Sequence, residues 1–118
     1  MYRIGLDIGS TTIKCVVLDD QDQIVYKSYQ RHRALIKEKT EELLSYISEN
    51  ILHENEAKLS ITGSAGIGVA EKYHIPFVQE VIATQVAVES YPETIDVVIE
   101  LGGEDAKILF LTNGVEVR

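Results

Sequence analysis

Asp7-Ile8-Gly9-Ser10-Thr11-Thr12-Ile13-Lys14 occurs a second time, respelled, as Glu100-Leu101-Gly102-Gly103-Glu104-Asp105-Ala106-Lys107. Aligned without a gap, both copies read acid, aliphatic, glycine, small residue, two polar residues, apolar residue, lysine. Each follows an apolar run, Ile4-Gly5-Leu6 or Val97-Val98-Ile99, and precedes another, Cys15-Val16-Val17-Leu18 or Ile108-Leu109-Phe110-Leu111. Each unit therefore reads as strand, glycine turn, strand. A second turn follows, Asp19-Asp20-Gln21-Asp22 in the first copy and Thr112-Asn113-Gly114 in the second. A third strand comes next, from Ile24 to Tyr29 and from Val115 onward. The pattern predicts two related β-meanders, each holding an acid and a glycine-lined turn towards one ligand, with the second meander cut short.

The chemistry of such a turn suits phosphate. Gly9 and the pair Gly102-Gly103 have no Cβ and tolerate positive φ, so backbone N–H groups can converge on an anion. Ser10, Thr11 and Thr12 add hydroxyl donors. Asp7 and Glu100, at their strand ends, are tolerated beside phosphate oxygens only with a cation between them. Mg²⁺ is the natural mediator, because it favours carboxylates, waters and substrate phosphates. Two such hairpins are expected to clamp a nucleoside triphosphate.

Composition agrees with an ordinary globular chain. The 118 residues are 45% hydrophobic with two prolines, enough for one core and a fragment of a second. Eleven Lys and Arg against 19 Asp and Glu leave a net charge of −8. Arg31-His32-Arg33 is the one basic cluster and reads as a solvated bend, so nucleic acid is not an expected partner. Neither a charged and apolar leader nor an apolar stretch of membrane-spanning length is present, which leads to the expectation of a cytoplasmic, membrane-free protein. Cys15 is the sole cysteine and lies in an apolar run, as a buried structural thiol does.

Between the meanders the period changes. Ile36, Leu43, Leu44, Ile47, Ile51 and Leu52 recur at helical spacing and predict one amphipathic helix. Lys58 to Thr62 alternates as a short strand, and Gly63-Ser64-Ala65-Gly66-Ile67-Gly68 opens a second helix running to about His74. This glycine order reverses the dinucleotide-binding spacing and lacks a P-loop lysine, so it reads as a tight turn with close helix packing. His74 to Val78 is expected to form an edge strand despite Pro76. Glu80 to Tyr91 is expected to be a largely buried connecting helix. His32, His53 and His74 have no metal-ligand spacing and are read as surface or structural residues. The tyrosines are scattered singly.

The order β-β-β-α-β-α-β-α followed by a second β-β is that of a ribonuclease H-like lobe and the start of its twin. Ile4 to Lys14 resembles the first phosphate motif of the superfamily of actin, sugar kinases and chaperone ATPases, and Val98 to Lys107 resembles the second. More narrowly, Asp7 to Cys15, Ile61 to Gly66, Pro76 to Glu80 and Glu100 to Lys107 resemble the activator ATPases of 2-hydroxyacyl-CoA dehydratases and benzoyl-CoA reductases. The likeness covers essentially the whole chain.

That resemblance implies an α/β fold with a lobe at 1–92 and the start of a second at 93–118. It also implies ATP or ADP as ligand, and ATP hydrolysis that drives a low-potential electron from an iron-sulfur cluster, shared across a homodimer, into a dehydratase or reductase component. Gly9, Ser10, Thr11, Thr12, Gly102 and Gly103 would contact phosphates, and Asp7 and Glu100 would hold Mg²⁺ through water. Asp105 would orient the attacking water, and Lys14 and Lys107 would counter phosphate charge. Glu100 and Glu104 depart from the commoner Asp and Gln. The cluster cysteines and the adenosine-binding segment are absent from these residues, so the fragment alone is expected to be inactive and to need the remainder of its own polypeptide. A sugar or small-acid kinase of the same superfamily and an actin-like assembly protein are the alternatives.

Overall fold

A computed structural model describes residues 1–53, 55–90, 97–101, 106–110 and 116–117. The chain divides into two compact units, Met1–Phe77 and Val78–Arg118.

Alternation of buried with more exposed residues along the first two strands builds the sheet of the first unit. Strands β1 (Tyr2–Ile8), β2 (Thr12–Leu18) and β3 (Ile24–Arg31) form an antiparallel meander, and β4 (Ala57–Thr62) joins β1 in parallel, giving the order β3-β2-β1-β4. Pairing sets Leu6 against Cys15 and Ile4 against Val17, so one face collects Ile4, Leu6, Ile8, Ile13, Cys15, Val17 and Ile61, all buried. Each of the larger aliphatic side chains contributes about 1.5–3 kcal/mol by leaving water.

Two helices cover that face. Helix α1 (Ile36–Ile47) supplies Leu43 and Ile47. No side chain caps its start; the turn His32–Leu35 feeds the helix, with Leu35 N–H donating to His32 O at 2.8 Å and Lys39 N–H to Leu35 O. The single helix expected to reach Leu52 instead widens into a π-helical turn over Ser48–Leu52, which ends at His53 in the left-handed region. Leu52 lies more than one α-turn beyond Ile47, and the wider turn returns it to the core face, where it is buried. Helix α2 (Ile67–Tyr73) adds Ala70 and ends at His74, again left-handed. Tyr26 and Tyr46, read as scattered, meet across β3 and α1 with ring centroids 5.5 Å apart.

The edge strand expected at His74–Val78 is not formed. Phe77 makes one isolated parallel bridge to Ile61, and Ile61 N–H donates to Pro76 O at 3.0 Å. Pro76 has no N–H to continue a ladder, which reduces the strand to a single contact.

Cys15 is 2% exposed, and burial pushes its thiol from 9.0 up to about 11. The folded chain therefore keeps a proton that the unfolded chain gives up above pH 9, so stability is unaffected below pH 9, falls as the pH rises to about 11 and stays lowered beyond. Maleimide labelling at pH 8 should be slow in native buffer and complete in urea; fast native labelling would show an accessible thiol.

In the second unit, helix α3 (Glu80–Glu89) precedes β5 (Val97–Leu101), β6 (Ala106–Phe110) and the short β7 (Glu116–Val117), which form an antiparallel sheet in the order β5-β6-β7. The expected burial of α3 is not met: none of its residues is buried, and Ile82 and Val86 are exposed. A unit of about 40 residues is at the size below which a chain rarely encloses a core of its own.

Candidate functional site

Asp7 stands near the end of β1, in register with Lys14 of β2 on the sheet face opposite the core. The Lys14 ammonium lies 3.5 Å from Asp7 Oδ2, with both side chains partly exposed, and 5.6 Å from the ring centre of Tyr29. On the other side of Asp7, in register across the parallel pair, is Thr62 of β4. Its hydroxyl is buried and has no hydrogen-bond partner among the described residues. Sequence reading passed over Thr62, whose proximity to Asp7 arises only from β4 pairing with β1.

The turn beyond Asp7 is a two-residue hairpin loop. Gly9 N–H donates to Thr12 O at 2.9 Å, leaving exposed Ser10 and Thr11 at the tip. Among the described residues the N–H groups of Ser10 and Thr11 have no acceptor. Gly9 does not use its tolerance of positive φ; among the described residues Gly63 is the glycine with that conformation. A Cβ on Gly9 would make ordinary contact with Thr12 O at 3.7 Å. The hairpin backbone does not need the glycine; what its bare Cα provides is an unobstructed surface at the turn.

Among the described glycines the steric demand falls on Gly66 and, above all, on Gly63. Its φ is +102°, and a Cβ there would lie 2.3 Å from Ile8 O and 2.7 Å from Asp7 Oδ1. Ala65 N–H donates to the same Ile8 carbonyl at 2.9 Å. A Cβ on Gly66 would lie 2.6 Å from Ile61 Cγ2 and 2.7 Å from Thr62 O. The loop after β4 is therefore a close-packed turn, as its glycine order indicated, and it packs on the strand end that carries Asp7.

His32 departs from the reading of Arg31-His32-Arg33 as a solvated bend. The two arginines are exposed, but His32 is 4% exposed. Its Nδ1 accepts the Ala34 N–H at 3.1 Å, which leaves the proton on Nε2 to be donated to Gly9 O at 2.9 Å. His32, expected to be a surface or structural residue, is buried, and nothing in the flanking charges signals it; a lone histidine at the end of the strand opposite Thr11 is the only hint.

In the second unit, Glu100 pairs with Lys107 and Leu101 with Ala106, the same backbone register as Asp7 with Lys14 and Ile8 with Ile13. The expectations for Gly102, Gly103 and Asp105 lie outside the described residues. Two hollows of the first unit lie away from Asp7. One of about 600 Å³ is at the opposite end of the sheet, by Asp19, Gln21 and Glu56; the other, of about 550 Å³, is between α1 and α2, by Thr40, Leu44 and Val69.

One carboxylate beside an unengaged buried hydroxyl fits Mg²⁺ held largely by water and phosphate, which takes few protein ligands. An iron-sulfur cluster does not fit, because the single cysteine is the buried Cys15. No described helix is long and apolar enough to cross a membrane.

Comparison with known proteins gives these features a family. The (R)-2-hydroxyglutaryl-CoA dehydratase activating ATPase of Acidaminococcus fermentans is 27% identical over 122 aligned positions, covering 97% of this chain and 44% of that protein. The activator of the 2-hydroxyisocaproyl-CoA dehydratase from Clostridium difficile, solved with bound ADPNP, superimposes with a TM-score of 0.75 at 27% identity, over 100% of this chain and 46% of that one. The ethanolamine utilization protein EutJ of Carboxydothermus hydrogenoformans, at 16% identity and a TM-score of 0.66 over 98% of this chain and 50% of that one, shares the ribonuclease H-like α/β fold. The chain thus spans less than half the length of the two activators. The family model for BadF/BadG/BcrA/BcrD ATPases matches residues 4–118, and the chain belongs to that family.

Proposed function

We propose that the full-length protein hydrolyses ATP to activate a CoA-ester dehydratase or reductase, and that this chain supplies the first acid and turn of its nucleotide site. The observation that carries the reading is the repeated register: an acid opposite a lysine across a hairpin, Asp7 with Lys14 and again Glu100 with Lys107. The names of the two activators point the same way.

In this reading the free amides and hydroxyls of Ser10 and Thr11, with Thr12 and the bare Gly9 surface, receive phosphate oxygens. Asp7 holds Mg²⁺ through water, with Glu100 as its counterpart. The metal, when bound, neutralises charge developing on the phosphates. Lys14 and Lys107 counter phosphate charge, Gly102 and Gly103 line the second turn, and Asp105 orients water. Residues 1–92 would form the first lobe and 93–118 the start of the second. The low-potential cluster and the homodimer it bridges would draw on residues other than these.

The test is Mg²⁺-dependent release of inorganic phosphate from ATP. The full-length protein should turn over on the order of once per second or faster, and the 118-residue chain should show little or none, since phosphoryl transfer needs charge stabilisation on all sides of the phosphates. Steady turnover by the chain alone, abolished by Asp7→Ala, would contradict the division of the site. Transfer of the γ-phosphate to a sugar or small acid instead of water would replace the activator reading with the kinase one.

A further inference from the structure

Among the described residues, His32 is a buried side chain that hydrogen-bonds the candidate phosphate turn. In an ordinary two-residue hairpin the carbonyl before the loop accepts the N–H three residues on. Here the Gly9 carbonyl meets His32 Nε2 at 2.9 Å instead, while His32 N–H donates to Thr11 O at 3.1 Å. Two carbonyls of the loop are thereby held by one residue of a different strand end.

The consequence follows from peptide geometry. No peptide bond among the described residues is cis, and in a trans peptide the C=O and N–H point to opposite sides. Anchoring the Gly9 carbonyl on a buried imidazole turns the Ser10 N–H away from that imidazole, towards the exposed side of the tip. That amide has no acceptor among the described residues. An unanchored loop could close its own hydrogen bond and lose this orientation.

The imidazole is itself held in place. Arg33 and Ala34 both adopt positive φ, at 52° and 63°, and Leu35 N–H closes the turn on His32 O. Such a turn normally takes Asn-Gly, so Arg33 and Ala34 hold a backbone conformation that residues with a Cβ rarely adopt. The Ala34 N–H it presents to Nδ1 is what leaves the proton on Nε2, facing Gly9. A strained bend maintained around a specific hydrogen bond is the signature of a positioning role.

We infer that His32 is a positioning residue for nucleotide binding: its Nε2–H holds the Gly9 carbonyl so that the Ser10 amide faces a phosphate oxygen. The inference rests on the nucleotide reading above and adds a residue to it.

Three substitutions in the full-length protein separate orientation from mere stability, with Mg²⁺-ADPNP as probe in a calorimetric titration and the thermal midpoint measured in parallel. His32→Gln places an amide nitrogen near the Nε2 position and keeps the donor to Gly9. His32→Asn places an oxygen near Nδ1, keeping the acceptor for Ala34 and losing the donor. His32→Ala loses both. The dissociation constant should rise about tenfold in His32→Ala and His32→Asn and stay within about threefold in His32→Gln, one hydrogen bond being worth about a factor of ten. The midpoint should recover in His32→Asn without the affinity. Affinity that tracks the midpoint across all three, or is unchanged in all three while the wild type binds, overturns the inference and leaves the nucleotide reading standing. A wild-type protein that binds no ADPNP overturns both.

Discussion

Gly63→Ala is expected to destabilise the first unit by about 4 kcal/mol, combining the left-handed backbone cost of roughly 1–2 kcal/mol with an overpacking cost of 1–3 kcal/mol. The new methyl would lie 2.3 Å from Ile8 O, 2.6 Å from Ile8 C and 2.7 Å from Asp7 Oδ1. Two of these are backbone atoms of a central strand, so the clash cannot be relieved by a side-chain rotation. Domains of this size have only about 5–15 kcal/mol in hand, and such a loss leaves a marginal fold. Gly68→Ala is the control: it lies in α2, nothing is within 4 Å of an added Cβ, and it should stabilise by about 0.5–1 kcal/mol. Urea unfolding followed by circular dichroism measures both. Equal midpoints for the two variants would mean that the loop after β4 does not pack on the Asp7 strand.

The second large effect is on catalysis. Asp7→Ala should lower ATP turnover in the full-length protein about a hundredfold, the usual cost of losing a carboxylate that orients a metal's water shell. Stability should hardly change. The ion pair that disappears is between side chains 35% and 43% exposed, and such surface pairs contribute about 0–1 kcal/mol. The unpaired Lys14 ammonium stays solvated beside Tyr29. A variant with normal turnover would remove Asp7 from the site; one that loses its fold along with its activity would make Asp7 a packing residue.

What could be read from the residues and what could not follow different length scales. The meander was legible because alternation is local: Ile4, Leu6 and Ile8 against Ile13, Cys15 and Val17 leave one register with all six buried. The strands of the second hairpin were legible through their likeness to the first, whereas the pairing of Glu100 with Lys107 emerges only from the register. The position of the Gly63–Gly66 turn was not legible, because its spacing indicates tight packing but not that the packing partner is Ile8, far away in the chain. His32 was hidden for the same reason, its burial being set by the carbonyl of Gly9 and masked by two solvated arginines. The π-helical turn at Ser48–Leu52 reflects a competition between helical period and core contact that periodicity alone does not resolve.

Phosphate binding at the Gly9–Thr12 turn can be followed by titrating Mg²⁺-ADPNP into the isotopically labelled full-length protein and recording the backbone amides by NMR. The Ser10 and Thr11 amides, unengaged in the free chain, should move furthest among residues 1–77, with Asp7 and Lys14 following, while the Asp19–Gln23 turn at the opposite end of the sheet stays still. Saturable shifts confined to the Asp19–Gln23 end or to the α1–α2 groove, with Ser10 and Thr11 unmoved, would place the nucleotide away from this turn.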